Sequence, residues 1–257
     1  MQLDPSAAAA GFRLFAHGVL ESTNSEALAQ SRRGDEGRLW VVAREQSAGR
    51  GRHGREWVST PGNLYATLLL ADPAPAEAAP QLAFVTGLAV HDAIVACADE
   101  LAKELALKWP NDVLYANKKL AGILIESEMS AGQLAVAVGI GVNCLHHPAQ
   151  ASFPATDLAK AGKIVPPDSL LYALSRTMMR RVAQWNRGAG FAAIRADWLT
   201  CATGLGREIT VRLSGHELNG YFEGLDDSGQ LLLRLADGKL QTITAGDIFP
   251  LAETGAP

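Results

Sequence analysis

Apolar positions change rhythm along the 257-residue chain. Residues 39–43 and 63–71 are near-continuous apolar runs, the pattern of strands covered on both faces. Leu82, Val85, Leu88, Ala89 and Ala93 recur at helical spacing and predict a core helix over 81–98. Pro73, Pro75 and Pro80 disfavour a helix before it. Short strands are expected at 106–108 and 112–115. Residues 120–128 and 133–142 read as adjacent antiparallel strands joined by the turn Ser130-Ala131-Gly132. Near the N-terminus, Thr23-Asn24-Ser25-Glu26 fits a capping box opening a helix over 24–32. Residues 144–167 have no period and contain Pro148, Pro154, Pro166 and Pro167, so they read as a long loop of the kind that carries function. Helices over 168–187 and 191–199 complete this part, and the order of elements is that of an α+β domain.

After residue 202 the pattern becomes short strands and turns, over 208–213, 217–225, 231–235 and 240–244. Asp226-Asp227-Ser228-Gly229 and Asp237-Gly238 supply turn chemistry. The expected organisation is a domain over 1–202 followed by a small all-β module of about five strands over 203–257, joined through a short polar interface. The module carries none of the strong ligand-facing motifs and is expected to complete the first domain's site without supplying its main grip, its surface helping to position a ligand or partner. Its four basic residues (Arg207, Arg212, Arg234, Lys239) stand against eight acidic ones, so it holds the whole net charge of −4.

That balance excludes a generally basic, nucleic-acid-coating surface. No apolar run reaches the length of a membrane span, and the N-terminus lacks the basic region of a secretory signal. Cys97, Cys144 and Cys201 are too few and too widely spaced for a disulfide framework or a zinc site, which points to reduced thiols in the cytoplasm. His146 and His147 are neighbours whose side chains diverge on extended backbone, so a polar loop is expected rather than a metal site.

Four segments carry chemistry. Gly49-Arg50-Gly51-Arg52-His53-Gly54-Arg55-Glu56-Trp57 combines mobile backbone, guanidinium groups that grip carboxylate or phosphate oxygens, and a flat apolar ring. An exposed Arg-rich turn is the alternative. Lys108-Trp109-Pro110-Asn111-Asp112 sets a cation and polar groups at a strand mouth, where Asp112 could hold Mg2+ or simply make a turn. Lys118-Lys119-Leu120-Ala121-Gly122-Ile123-Leu124-Ile125-Glu126 could direct one lysine into a pocket. Gly139-Ile140-Gly141-Val142-Asn143 permits close approach of a ligand or makes a bulged core strand. The chain has no P-loop, no dinucleotide fingerprint placed between an early strand and a helix, no nucleophile elbow and no zinc-protease helix.

Together with Glu21-Ser22-Thr23-Asn24 and Gln46-Ser47-Ala48, these segments closely resemble, in order and along most of the chain, the biotin protein ligases. The resemblance implies a biotin/lipoate-ligase-like catalytic domain with a mixed sheet and helices, then a small SH3-like β-barrel. It implies activation of biotin by ATP to biotinyl-5′-AMP, then transfer to a lysine of a biotin carboxyl carrier domain of acetyl-CoA carboxylase or a related carboxylase. By the same resemblance, Ser22, Thr23, Gln46, Gly49, Arg50, Lys119 and Gly122 hold biotin, with Ile123 and Leu124 as apolar wall. Arg52, Arg55, Trp57, Lys108 and Asn143 serve ATP or the adenylate. Arg50, Arg52 and Lys119 are the catalytic group, and Asp112 is the Mg2+ ligand. His53 departs from the arginine frequent at its place in the family motif, which removes any fixed phosphate contact there. Only 21 residues precede Ser22, too few for the DNA-binding domain of some relatives, so a catalytic form without specific DNA binding or membrane attachment is expected. Homodimerisation is left open. A lipoate or octanoate ligase and a noncatalytic carrier-binding module are the competing readings.

Overall fold

Strand β2 (Leu39–Gln46) shows why its sequence has no alternation: Trp40 and Val42 enter one core, Leu39 and Val41 the other. It belongs to a seven-stranded sheet covered by helices on both faces. The computed structural model describes residues 1–130, 132–149 and 153–250. The sheet also contains β1 (Arg13–Leu20), β3 (Leu64–Ala71), β4 (Leu105–Lys108), β5 (Asp112–Tyr115), β6 (Lys118–Ser130) and β7 (Gln133–Val142). The spatial order is β1-β2-β3-β7-β6-β5-β4, with β1 parallel to β2 and every other pair antiparallel.

Helix α2 (Thr23–Arg32) packs Ala27 and Leu28 against Leu39, Val41, Leu69, Ala135 and Ala137 on one face. The other face is covered by α3 (Leu82–Cys97), α4 (Pro167–Trp185) and α5 (Phe191–Thr200), which pack against one another. The segment Ala76–Cys97 is long and apolar enough to cross a membrane by composition. Here α3 is a core helix, with Leu82, Val85, Leu88, Ala89 and Ala93 buried.

The differences from the expected elements have local causes. Helix α1 (Pro5–Ala9) and β1 were unforeseen; β1 is an outer strand with Phe15 and Val19 exposed, and His17 and Gly18 interrupt any alternation. The α2 cap is Ser22 rather than Thr23, its Oγ accepting from Ser25 N at 3.4 Å, because Thr23 turns its hydroxyl toward Gln46 and Thr67. A 3₁₀ turn at Ala76–Gln81 accommodates Pro80 before α3. The β6–β7 turn includes Ala131, outside the described residues.

The expected β-module is a five-stranded antiparallel sheet in the order β11-β10-β9-β8-β12, formed by β8 (Glu208–Arg212), β9 (Glu217–Leu225), β10 (Leu231–Arg234), β11 (Leu240–Ile243) and β12 (Asp247–Pro250). Strand β12 was not foreseen. The polar interface was also wrong: Ile209, Val211, Phe222, Leu231 and Ile248 belong to the same apolar cluster as Phe84, Trp109 and Phe191. The Trp109 indole donates to the Gly229 carbonyl at 3.1 Å, and the linker pairs with β4 through Leu107 N to Cys201 O at 2.8 Å. Burying apolar surface is worth about 25 cal/mol per Å², so a shared core ties the two sheets more firmly than polar contacts would.

Gly229 tests that junction. Its φ of +85° is left-handed, and an added Cβ would lie 2.7 Å from Phe84 Cε2. Gly238 has φ +83° with open space around it. Urea unfolding should show one transition for the chain. Gly238→Ala should cost about 1–2 kcal/mol for the left-handed backbone alone. Gly229→Ala should cost a further ~1–3 kcal/mol from overpacking.

Candidate functional site

Three glycines leave the α2-side face of the sheet bare at one end. In the ladder, Gly122 pairs with Gly141, while Leu124 pairs with Gly139. A cavity of about 390 Å³ opens over this floor and is lined from six sequence regions. Ser22, Thr23, Gln46, Arg50, Arg52, Arg55, Trp57, Lys108, Asp112, Lys119, Gly122, Ile123, Leu124 and Asn143 all line it. Gly49 is the exception: it packs behind Gln46, where a Cβ would meet Ser59 Oγ and the Trp57 carbonyl at 2.5 Å.

A hydrogen-bond chain crosses the floor. Gln46 Oε1 accepts from Thr23 N at 2.8 Å and from Thr23 Oγ1 at 3.0 Å, while Gln46 Nε2 donates to Ser59 Oγ at 3.0 Å. Ser59 Oγ donates to the Trp57 carbonyl at 2.8 Å. In the other direction, Thr67 links Thr23 to Asn24, and Asn24 Nδ2 donates to Glu126 Oε2 at 2.7 Å. Glu126 in turn pairs with Arg50 at 3.3 Å. The two ends of the Gly/Arg segment are thus tied together through α2. Neither Asn24 nor Glu126 was singled out from the sequence, although both stand in segments that were.

The Gly/Arg segment folds back on itself. Gly51 N donates to Arg55 O at 2.7 Å and Trp57 N to Gly49 O at 2.9 Å, closing a short hairpin. His53 sits at its tip with φ +56° and does not line the cavity, as its departure from the family motif suggested. Trp57 lines the cavity, and Cβ atoms at Gly141 and Gly122 would approach its ring at 2.5 and 2.9 Å. Its buried indole N–H has no acceptor among the described residues.

Three neighbouring strands converge on one carboxylate. Lys108 ends β4, Asp112 opens β5, and a bulge between Val113 and Leu114 in the β5–β6 ladder brings Lys119 to the same face as Asp112 and Gly122. Asp112 Oδ2 lies 3.0 Å from Lys108 Nζ and Oδ1 2.6 Å from Lys119 Nζ. Burial alone would raise the Asp112 pKa, but the charges of Lys119 and Lys108 outweigh it and hold the carboxyl below its ordinary value. Lys108 Nζ also stands 4.6 Å above the Phe153 ring, and Lys119 Nζ 5.3 Å from Trp57.

Asp112 was the expected Mg2+ ligand. Both of its oxygens lie within ion-pair distance of a lysine ammonium, while its buried Oδ1 has no hydrogen-bond partner of good geometry among the described residues. A single carboxylate can hold Mg2+ together with phosphates, so this set is compatible with an ion that arrives with its ligand. His147 pairs with Asp157 at 2.5 Å in the loop after β7. That loop is fastened to the site by Lys119 N to Pro154 O at 2.7 Å and Asn143 Nδ2 to Thr156 O at 2.9 Å. The three cysteines remain free thiols.

The C-terminal sheet also faces the cavity, at the end away from Thr23 and Gln46. On β12, Asp247 and Phe249 reach the cavity while Ile248, between them, enters the apolar core. Asp247 pairs with Arg55 at 2.7 Å and with Arg52 at 3.4 Å. Phe249 meets Phe153 with centroids 6.0 Å apart. Desolvation lowers the Arg52 pKa, opposed by the charges of Asp247 and Asp112.

A profile of the Biotin/lipoate A/B protein ligase family matches residues 18–143, and one of the biotin protein ligase C terminal domain matches residues 204–249. The chain is 46% identical over 237 residues to a biotin--[acetyl-CoA-carboxylase] ligase of Paracoccus denitrificans, covering 89% of this chain and 97% of that protein. It is 34% identical over 238 residues to the ligase of the same name from Mycobacterium tuberculosis, covering 90% and 86%. A solved biotin protein ligase from Aquifex aeolicus, in complex with biotin and ATP, superposes with a TM-score of 0.76 at 28% identity, covering 92% of this chain and 97% of that one.

The chain belongs to the biotin protein ligase family. The two matched regions of this ligase-family chain contain most of the cavity's walls, including Asp247 and Phe249. Pro148, Phe153 and Ala155 come from the stretch between them.

The lysine pair makes a stability prediction. Asp112→Asn should destabilise the protein at neutral pH by on the order of 3–5 kcal/mol, because two ammonium groups lose their counter-charge. A carboxylate whose folded pKa is depressed stabilises above its unfolded pKa and loses that contribution as pH falls through the folded value. The gap between wild type and Asp112→Asn should therefore be full well above pH 3.8 and should close as the pH drops below it, measured by thermal melting in a pH series.

Proposed function

We propose that this chain joins biotin to ATP as biotinyl-5′-adenylate and passes the biotinyl group to one lysine of a carrier domain. The observation that carries this reading is the single cavity in which Thr23 and Gln46 meet Lys119, Arg50 and Arg52. A neutral ring rich in donors and acceptors suits the hydroxyl and amide end, and a carboxylate with a phosphate suits the cationic end.

In the first half-reaction a biotin carboxylate oxygen attacks the α-phosphorus of ATP, and pyrophosphate leaves. In the second, the carrier amine attacks the acyl carbon, and AMP leaves. Lys119 holds the carboxylate and then the acyl-phosphate oxygen, while Asp112 fixes the direction of its ammonium. Arg50 and Arg52 steady the α-phosphate, Arg55 the outer phosphates, and Trp57 the adenine. Ser22, Thr23 and Gln46 hold the ureido ring against Ile123 and Leu124. Lys108 and Asn143 support the nucleotide side. Alignment and electrostatic stabilisation supply the catalysis, with no covalent enzyme intermediate. Mg2+ enters with ATP as part of the substrate, and Asp112 is the carboxylate nearest the phosphates' lysines.

We take residues 1–202 as the catalytic part and 203–257 as a C-terminal part that completes the nucleotide end. The names of the relatives favour the carrier domain of acetyl-CoA carboxylase, and a cytoplasmic setting follows for such a carrier. Lipoate activation is the rival chemistry. A dithiolane ring would leave the Thr23–Gln46 end without a polar partner, a mismatch that costs binding.

Incubation with biotin, ATP, magnesium and a carrier domain should raise the carrier's intact mass by one biotinyl group, with lipoate and octanoate giving none. Labelling by either of those acids in preference to biotin rejects the reading. Lys119→Met should slow adenylate formation about 100-fold, in the range for loss of one charged transition-state contact. Supplying purified biotinyl-adenylate should partly restore carrier labelling; equal loss in both half-reactions contradicts the role given to Lys119.

A further inference from the structure

We propose that Asp247 is a built-in competitor of the nucleotide: its carboxylate occupies the guanidinium groups that the polyphosphate of ATP must take. This rests on the reading of the cavity as an ATP site. Asp247 pairs with Arg55 at 2.7 Å and approaches Arg52 at 3.4 Å from a different sheet. The strand's alternation fixes this aim, because Ile248 is anchored in the core and its two neighbours must point the other way.

A carboxylate beside two arginines could instead serve to position them, and the contacts distinguish the two roles. Arg52 is already held by neutral acceptors, donating to Asn111 Oδ1 at 3.1 Å and to the Gly246 carbonyl at 3.2 Å. Its long contact with Asp247 adds little direction. Arg55 has no other acid partner among the described residues, and its side chain is 47% exposed. Asp247 therefore neutralises Arg55 more than it orders Arg52. A polyphosphate arriving at these guanidinium groups meets a like charge at contact distance, which is repulsive in a site partly shielded from water. The carboxylate gives up Arg55 when the phosphates bind, so an empty enzyme binds the nucleotide less tightly than its arginines alone would allow.

Asp247→Asn keeps the shape and removes the charge; Asp247→Glu keeps the charge. Inorganic tripolyphosphate, titrated calorimetrically into the full chain, should bind Asp247→Asn about five- to tenfold more tightly than wild type, and Asp247→Glu within about twofold of wild type. In pyrophosphate-release assays the ATP KM of Asp247→Asn should fall by a similar factor without a matching rise in kcat. Weaker or unchanged tripolyphosphate binding, or a raised KM, overturns the proposal and makes Asp247 a positioning residue. Should Asp247→Asn fail to fold, amide exchange on the wild type decides: tripolyphosphate should speed exchange over residues 246–250, and slowed or unaltered exchange rejects the competition. Neither binding measurement uses biotin or a carrier. Tightened binding with no carrier labelling would reject the proposed function alone, and carrier labelling without tightened binding would reject the competition alone.

Discussion

One buried carboxylate shared by two lysines sets the geometry of the cavity. Removing a charge from water costs several kcal/mol unless partners replace the lost solvation, so Asp112, Lys108 and Lys119 are each acceptable only in the presence of the others. Three adjacent strands must end or begin at the same height to bring them together. The bulge in β6 is the backbone's concession to that requirement: without it Lys119 would fall on the opposite face from Asp112. Around this pair the remaining groups are placed by softer means. Gly122 and Gly141 yield their side-chain space to the Trp57 ring, and the Gly/Arg hairpin is held at one end by Glu126 and at the other by the Gln46–Ser59 contact.

The cavity also has a polarity of its own. Its hydroxyl and amide groups gather around the α2 N-terminus, where Arg50 also reaches Ser25 and Glu126, while Arg52, Arg55, Lys108 and Lys119 lie with Asp112 and Asp247 toward the other end. A ligand neutral at one end and anionic at the other is matched along its length.

Local chemistry was legible in the sequence and long-range chemistry was not. The segments containing Arg50, Lys108, Lys119 and Gly141 each combine unusual residues within a few positions, and the fold brings them to one cavity. The central strands were legible because burial on both faces leaves continuous apolar runs. Strand β1 gives no such run, being outermost and half exposed. Asp247 and Phe249 act across some 195 positions of sequence from Arg52, and a four-residue strand ending in proline has too little pattern to announce itself. The meeting of Asp112 with Lys119 was hidden for the same reason: the spacing of Asp112 to Lys108 is visible in sequence, but the bulge that delivers Lys119 is not.

The continuous core has a consequence for how the chain is made. A ribosome releases β12 after every other described strand, yet Ile248 belongs to the cluster that also contains Trp109 and Phe84. Until β12 emerges, the nascent seven-stranded sheet has its helices but lacks part of its apolar cover, and Arg52 and Arg55 lack their carboxylate. Large chains generally acquire structure from the N-terminus during synthesis and expose sticky surface while incomplete. Strand β12, the last of the described strands in chain order, thus finishes both the packing and the charge balance of a site begun at Ser22, so the cavity cannot be complete before β12 has been made.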